Sequence, residues 1–233
     1  MDRHANLIKA LLNGSGAVDG DSIPQRICEL CVRRLSLSAA SVALISAPQA
    51  RGALATAGRL GGQVEDLQFA LGEGPCVEAF KHGIPALEPD LAAGGLARWP
   101  GFARAALSIG VRAVFAIPLQ VGAARVGALE LARDIPGPLA DNELADVLVL
   151  ADLTTNAVLF LQSGARNGTL GAALRQTGSG RIAVHQATGM VSVQLRVTVA
   201  DALARLRAFA IANDRELDGV ATDVVARRLR FEE

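Results

Sequence analysis

Few side chains in this 233-residue sequence are equipped for chemistry. There are three cysteines, three histidines and a run of arginines toward the C-terminus. Cys28 and Cys31 form a C-x-x-C pair, a spacing used for redox exchange or metal binding when a second pair or a histidine completes it. No such partner lies nearby, and the pair sits in a helical pattern from Ile23 to Leu35. Two small buried residues are the simpler reading. Cys76 follows Gly72-Glu73-Gly74-Pro75; it is a redox sensor if its thiolate is stabilised and inert if buried. Gly72-Glu73-Gly74 is neither a P-loop nor a complete dinucleotide fingerprint. No Ser-His-Asp or metal-ligand spacing is present. His82, in a Lys81-His82-Gly83 turn, reads as surface. The expectation is a protein that is not an enzyme and has neither metal nor cofactor.

The arginines carry the other candidate chemistry. Residues 163–233 hold 10 Arg against 7 Asp and Glu, a net +3, while residues 1–162 are net −3. A basic tail on an acidic body suits a polyanion-binding effector. Arg205, Arg207, Arg215, Arg227, Arg228 and Arg230 are its candidate contacts. They are equally explained as a solvated face paired with Asp201, Asp214, Asp218 and Asp223.

The elements that must position these groups fall into two sets. Half of the residues are hydrophobic, enough for a real core, and 20% are charged. Residues 1–20 read as a short, frayed N-terminal helix and linker. From 21 to about 162 the pattern is α+β. Ser22 caps a helix with Pro24 in its first turn. Short β-branched runs follow at Val42–Ile45, Gly52–Ala57, Leu67–Leu71, Ile84–Leu87, Val111–Leu119 and Arg125–Ala132. The last two are joined by a hairpin-like Gln120–Ala124. A long helix over about Leu139–Leu161 has apolar residues on more than one face, which predicts a homodimer. Residues 163–180 form a Gly/Ser-containing seam with a short helical stretch. From 181 to 233 the pattern is all-helical, in three helices. Thr198 and Asp201 form an acidic relative of a capping box for the second. The third begins near Asp214–Glu216 and extends to Leu229. No signal peptide is visible, and uncharged apolar runs fall short of the ~18–20 residues of a membrane span. A cytoplasmic protein without membrane contact is expected.

Two stretches carry a family resemblance. Leu71-Gly72-Glu73-Gly74-Pro75-Cys76-Val77-Glu78-Ala79, Pro89-Asp90-Leu91, Arg98-Trp99-Pro100 and Gly110–Leu119 resemble GAF domains of actinobacterial regulators. Val184-His185-Gln186-Ala187-Thr188-Gly189-Met190, Val199–Ala210 and Leu217–Val225 resemble the ANTAR domain of transcription antiterminators. The resemblance implies an α+β GAF domain, an antiparallel sheet flanked by helices, followed by an all-α three-helix ANTAR domain. It implies a sensor of an unknown small molecule controlling an RNA-binding module that takes paired hairpins with six-base loops, as a dimer. Splayed loop bases suit a small helical surface with Arg and polar groups, because a closed A-form helix hides its base edges. A helical tail that binds a protein partner or DNA is the alternative.

On that resemblance the RNA-binding set is His185, Gln186, Met190, Arg196, Arg205, Arg207, Asn213, Arg215, Arg227 and Arg228, with Arg207 and Arg215 foremost. Asn213 is also a good N-cap, and Phe209 reads as core. The candidate sensor pocket is Glu73, Cys76, Trp99, Phe102, Arg112 and Phe115, apolar walls with a few polar groups. Trp99 is also explained as a wedge in its loop, and Arg112 as the start of a strand. There is one departure: Leu195-Arg196-Val197 replaces the family's Leu-Gly-Val. A left-handed residue is wanted there, and Arg in place of Gly costs about 1 kcal/mol. Either the turn is built differently or Arg196 adds an RNA contact.

Overall fold

A computed structural model describes residues 3–13, 23–46, 50–164 and 179–232. Helices α1 (Arg3–Leu12) and α2 (Ile23–Arg34) come first. Strands β1 (Ala39–Ser46) and β2 (Ala50–Ala57) follow, then helices α3 (Gly61–Leu71) and α4 (Pro75–His82) and the short strand β3 (Ala86–Glu88). A π-type turn at Leu91–Gly95 leads through one helical turn into α5 (Pro100–Ser108). Strands β4 (Ala113–Val121) and β5 (Ala124–Arg133) and helix α6 (Asp141–Gly164) close the unit. The antiparallel sheet has the order β2-β1-β5-β4-β3.

Alternation along the strands gives this sheet two different faces. One face carries large residues: Val42, Leu44, Phe115, Ile117, Leu129 and Leu131 pack with α1, α2 and α6. The other is built from small ones, Ala39, Val114, Ala116, Ala128 and Ala132, under Val64, Cys76, Trp99 and Phe102 of the intervening helices. Gly127 sits opposite Leu44, where a Cβ would run into the Ala43 carbonyl, so only glycine lets β1 and β5 close.

Helix α6 is long and apolar enough to cross a membrane, but it serves as a core helix: Val147, Leu150 and Val158 are buried against the large-residue face. Thr154 and Thr155 turn their hydroxyls back to the Leu150 and Ala151 carbonyls, which leaves no buried hydroxyl unsatisfied there.

The tail is three helices: α7 (Ser179–Leu195), α8 (Val199–Ala212) and α9 (Leu217–Val225). Val184, Ala187, Val191, Leu203, Leu206, Val220 and Val224 make a separate core. Phe69 of α3 joins it at 3% exposure, so this small bundle packs against the α+β unit. Thr198 Oγ1 accepts the Asp201 N–H and donates to the Asp201 carboxylate, a cap reinforced side chain to side chain.

Several expectations need correction. Leu67–Leu71 is the end of α3, not a strand; a five-residue apolar run has no period to tell the two apart. The strand expected at Ile84–Leu87 is only Ala86–Glu88, with Ile84 exposed. The N-terminal helix is not frayed: Leu7 is fully buried in the core with α2 and α6. The third tail helix ends at Val225, and Leu229 and Phe231 pack back onto the bundle from the chain beyond it. The turn at Arg196 is not built differently: Arg196 itself takes the left-handed conformation, φ 51°. The Ser22 cap and most of the 163–180 seam lie outside the described residues.

Candidate functional site

The small-residue face of the sheet carries a polar cluster in otherwise apolar surroundings. Glu130 lies on β5 in the inward phase of Ala128 and Ala132, and is 2% exposed. Ser41 pairs with it across the β1–β5 ladder and donates its hydroxyl to Glu130 Oε2 at 3.2 Å. Glu65 and Gln68, one turn apart on α3, are wholly buried above it. Gln68 Nε2 donates to Glu130 Oε1 at 2.6 Å, and Gln68 Oε1 accepts the Cys76 backbone N–H at 2.9 Å. Cys76, the second residue of α4, is also fully buried. One ligand atom each from Glu65, Cys76 and Glu130 lie within 4.8 Å of one another. Gly74, at φ 130°, brings the α3–α4 turn so close to Gln68 that a Cβ would lie 2.6 Å from its oxygen.

Of the pocket expected from sequence, the fold unites Cys76, Trp99 and Phe102 on this side of the sheet. Phe115 is on the other side, because it alternates with the inward-facing Val114 and Ala116. Glu73 Oε1 accepts the N–H groups of Gly101 (2.6 Å) and Phe102 (2.8 Å), capping α5. Arg112 Nη1 donates to the Leu107 and Val111 carbonyls and ties down the end of α5. Trp99 Nε1 donates to Glu78 at 2.9 Å while the Arg98 guanidinium lies 4.3 Å over its ring. Glu65, Gln68, Ser41 and Glu130 escaped the sequence reading. The available signal was Glu130, a carboxylate at an inward-facing strand position.

Six of the ten RNA-binding candidates fall into two groups. Gln186, Met190 and Arg227 line an open groove of about 900 Å³ between α7 and α9, together with Arg230. Gly189 and the largely exposed Val193 complete its floor. His185, Arg207 and Arg215 instead lie toward α3 of the α+β unit. His185 sits edge-on to the Phe69 ring, with centroids 6.2 Å apart. Arg207 is half-buried, with Nε (3.1 Å) and Nη2 (2.6 Å) both donating to the Phe69 carbonyl. Its guanidinium fills the space over Gly72.

Arg215 and Arg228 converge on Asp223 at 2.6 and 2.7 Å. Their hydrogen bonds, Arg215 first, hold the Asp223 carboxyl below its ordinary pKa. Asn213 caps the end of α8 by donating Nδ2 to the Phe209 carbonyl, a C-cap where an N-cap was expected. Phe209 is partly buried against Phe231. Arg196 and Arg205 are exposed. The C-x-x-C cysteines are buried, and desolvation pushes the Cys31 thiol up to about 12 and raises Cys28 well above its ordinary value.

No protein-family model matches the chain, and no curated protein matches it in sequence. Solved structures are similar in fold. The GAF domain of an Acinetobacter phosphoenolpyruvate-protein phosphotransferase superposes with a TM-score of 0.53 at 10% identity, over 71% of this chain and 96% of that one. The GAF domain of the cyanobacteriochrome TePixJ gives 0.51 at 17% identity, over 64% and 99%. The GAF domain/HD domain protein from Geobacter sulfurreducens gives 0.50 at 18% identity, over 64% and 97%. The five-stranded antiparallel sheet with its flanking helices is thus a GAF-like fold.

Proposed function

We propose that this chain is a cytoplasmic transcription antitermination regulator, in which a GAF sensor controls RNA binding by the three C-terminal helices. The observation that carries the reading is the groove between α7 and α9. It gathers Gln186, Met190, Arg227 and Arg230 on a face the sensor unit leaves open. Arginines supply contacts to phosphate, the glutamine amide reads a base edge, and the thioether offers a soft surface to an unstacked base. An RNA hairpin loop presents all three targets together. The sequence resemblance to ANTAR domains in these same helices supports the assignment.

A second copy of the chain belongs to this reading. Ile8, Leu11 and Leu12 of α1, Ile23 of α2, and Leu153 and Phe160 of α6 line an apolar groove of about 370 Å³. Phe160 is 68% exposed in the single chain, and a symmetric partner covers such a surface.

The test is anisotropy of a labelled RNA carrying two six-base-loop hairpins. Arg227→Glu and Arg230→Glu are each expected to weaken binding by about tenfold or more and to flatten its salt dependence. Wild-type affinity in both variants refutes the groove. Binding that is indifferent to salt favours a protein partner on the exposed Val193 floor instead.

A further inference from the structure

We infer that Glu65, Cys76 and Glu130 form a binding site for one divalent transition cation of the zinc or iron(II) class. The inference names a ligand for the proposed sensor and rests on that reading for its purpose, though not for its measurement. Three positions far apart in sequence, on α3, α4 and β5, bring two carboxylates and a thiol within 4.8 Å. None is more than 2% exposed.

Burial makes this cluster different from an acidic patch on a surface. Carboxylates removed from water lose their hydration, and two of them at this separation repel with little screening. Gln68 and Ser41 donate hydrogen bonds to Glu130. A divalent cation at the centre ligates all three groups at once, with a charge opposite to theirs. Sulfur together with carboxylate oxygen selects a borderline ion: thiolate disfavours magnesium and calcium, and carboxylate disfavours copper(I).

The geometry is near what such an ion needs. Bonds of ~2.0–2.3 Å in a tetrahedron set ligand atoms ~3.3–3.8 Å apart, so the side chains draw in by about 1 Å on binding. The surrounding hydrogen bonds already hold the ligands. Gln68 spans Glu130 on the sheet and the Cys76 backbone on α4, the outer support that metal ligands require. The small residues Ala116, Ala128 and Ala132 floor the site, where larger ones would fill it. Three protein ligands leave a fourth position for water or an exogenous group, an arrangement suited to sensing.

The experiment uses full-length protein stripped with a chelator and titrated with Co²⁺, whose thiolate charge-transfer absorption reports sulfur ligation. The expected result is saturation at one Co²⁺ per chain, with the band displaced by Zn²⁺. The band persists in the Cys28→Ser/Cys31→Ser double variant, where Cys76 is the sole remaining thiol, and disappears in Cys76→Ser. Glu65→Gln weakens binding by at least about tenfold. Circular dichroism confirms that each variant is folded; should Cys76→Ser fail to fold, Glu65→Gln and the cysteine double variant decide. Folded wild-type protein that takes up no Co²⁺ overturns the site, as does a charge-transfer band that survives in folded Cys76→Ser. Two carboxyls sharing a proton would give the first of these results. No RNA enters the titration, so its failure leaves the antitermination reading standing, and the reverse holds too.

Discussion

Replacing Arg207 with alanine loosens the C-terminal helices from the α+β unit while leaving both units folded. Two N–H groups of the guanidinium converge on the Phe69 carbonyl in the last turn of α3, at 3.1 and 2.6 Å. Helix carbonyls in that turn run short of intrahelical donors and carry partial negative charge, so a cation there is doubly favoured. A hydrogen bond from a charged donor is worth about 1.5–3 kcal/mol. The ring of Phe69 lies 5.9 Å from the same guanidinium, near the outer limit of a cation–π contact, and adds little. Because Arg207 is half-buried, about 2 kcal/mol is a reasonable total, or roughly 30-fold in the docked-to-undocked ratio. Hydrogen exchange read by mass spectrometry measures this directly. Amides of 66–72 and 203–210 exchange faster in Arg207→Ala, whereas those of β4 and β5 do not change. Unchanged exchange at the contact, or acceleration throughout the sheet, refutes the reasoning.

Further outcomes follow from single features. Arg196→Gly relieves a left-handed non-glycine residue, φ 51°, and raises stability by about 1 kcal/mol in thermal unfolding; a lower melting temperature means that the Arg196 side chain makes a compensating contact. Gly127→Ala drives a Cβ into the Ala43 carbonyl, which a paired strand has no room to avoid, and costs about 3 kcal/mol or more in denaturant unfolding; near-wild-type stability contradicts the close β1–β5 approach. Burial works to raise the Glu143 pKa, but the Ala140 N–H and Arg133 bring the net value below the ordinary one. A depressed pKa gives stability that is present above the unfolded-state pKa and lost as pH falls through the folded one. The stability gap between wild type and Glu143→Gln is therefore expected to close as pH drops from 6 to about 3, and a gap constant with pH contradicts it. Cys28 and Cys31, with raised pKa values, resist thiol reagents at neutral pH until the protein unfolds; rapid labelling of either in native protein refutes their burial.

Much of the fold was legible because its signals are local. The hairpin of β4 and β5 turns through Gly122 at φ 57°, and Thr198 caps α8 as its Thr-x-x-Asp spacing predicts. The end of α3 was misread because Leu67–Leu71 looks the same in either period; the glycine that stops the helix, Gly72, is also a loop signal after a strand. The site was less legible because it is tertiary. Phe115 and Val114 are neighbours in sequence on opposite faces of the sheet. Glu73 reads as a polar group for the expected pocket, and its carboxylate accepts N–H groups at the start of α5. Arg207 is chemically suited to RNA, and nothing in sequence connects it to Phe69, 138 positions away. Glu65, Cys76 and Glu130 share no motif and meet only when α3 and α4 fold over β5.

The central claim is tested most directly by titrating full-length protein into an RNA with two six-base-loop hairpins, beside a control in which only the loops are scrambled, at physiological salt. The account predicts selective, salt-dependent binding to the intact loops, strengthened in Arg207→Ala if docking against α3 restrains the helices. Equal affinity for both RNAs, or no binding by either wild type or Arg207→Ala, contradicts it.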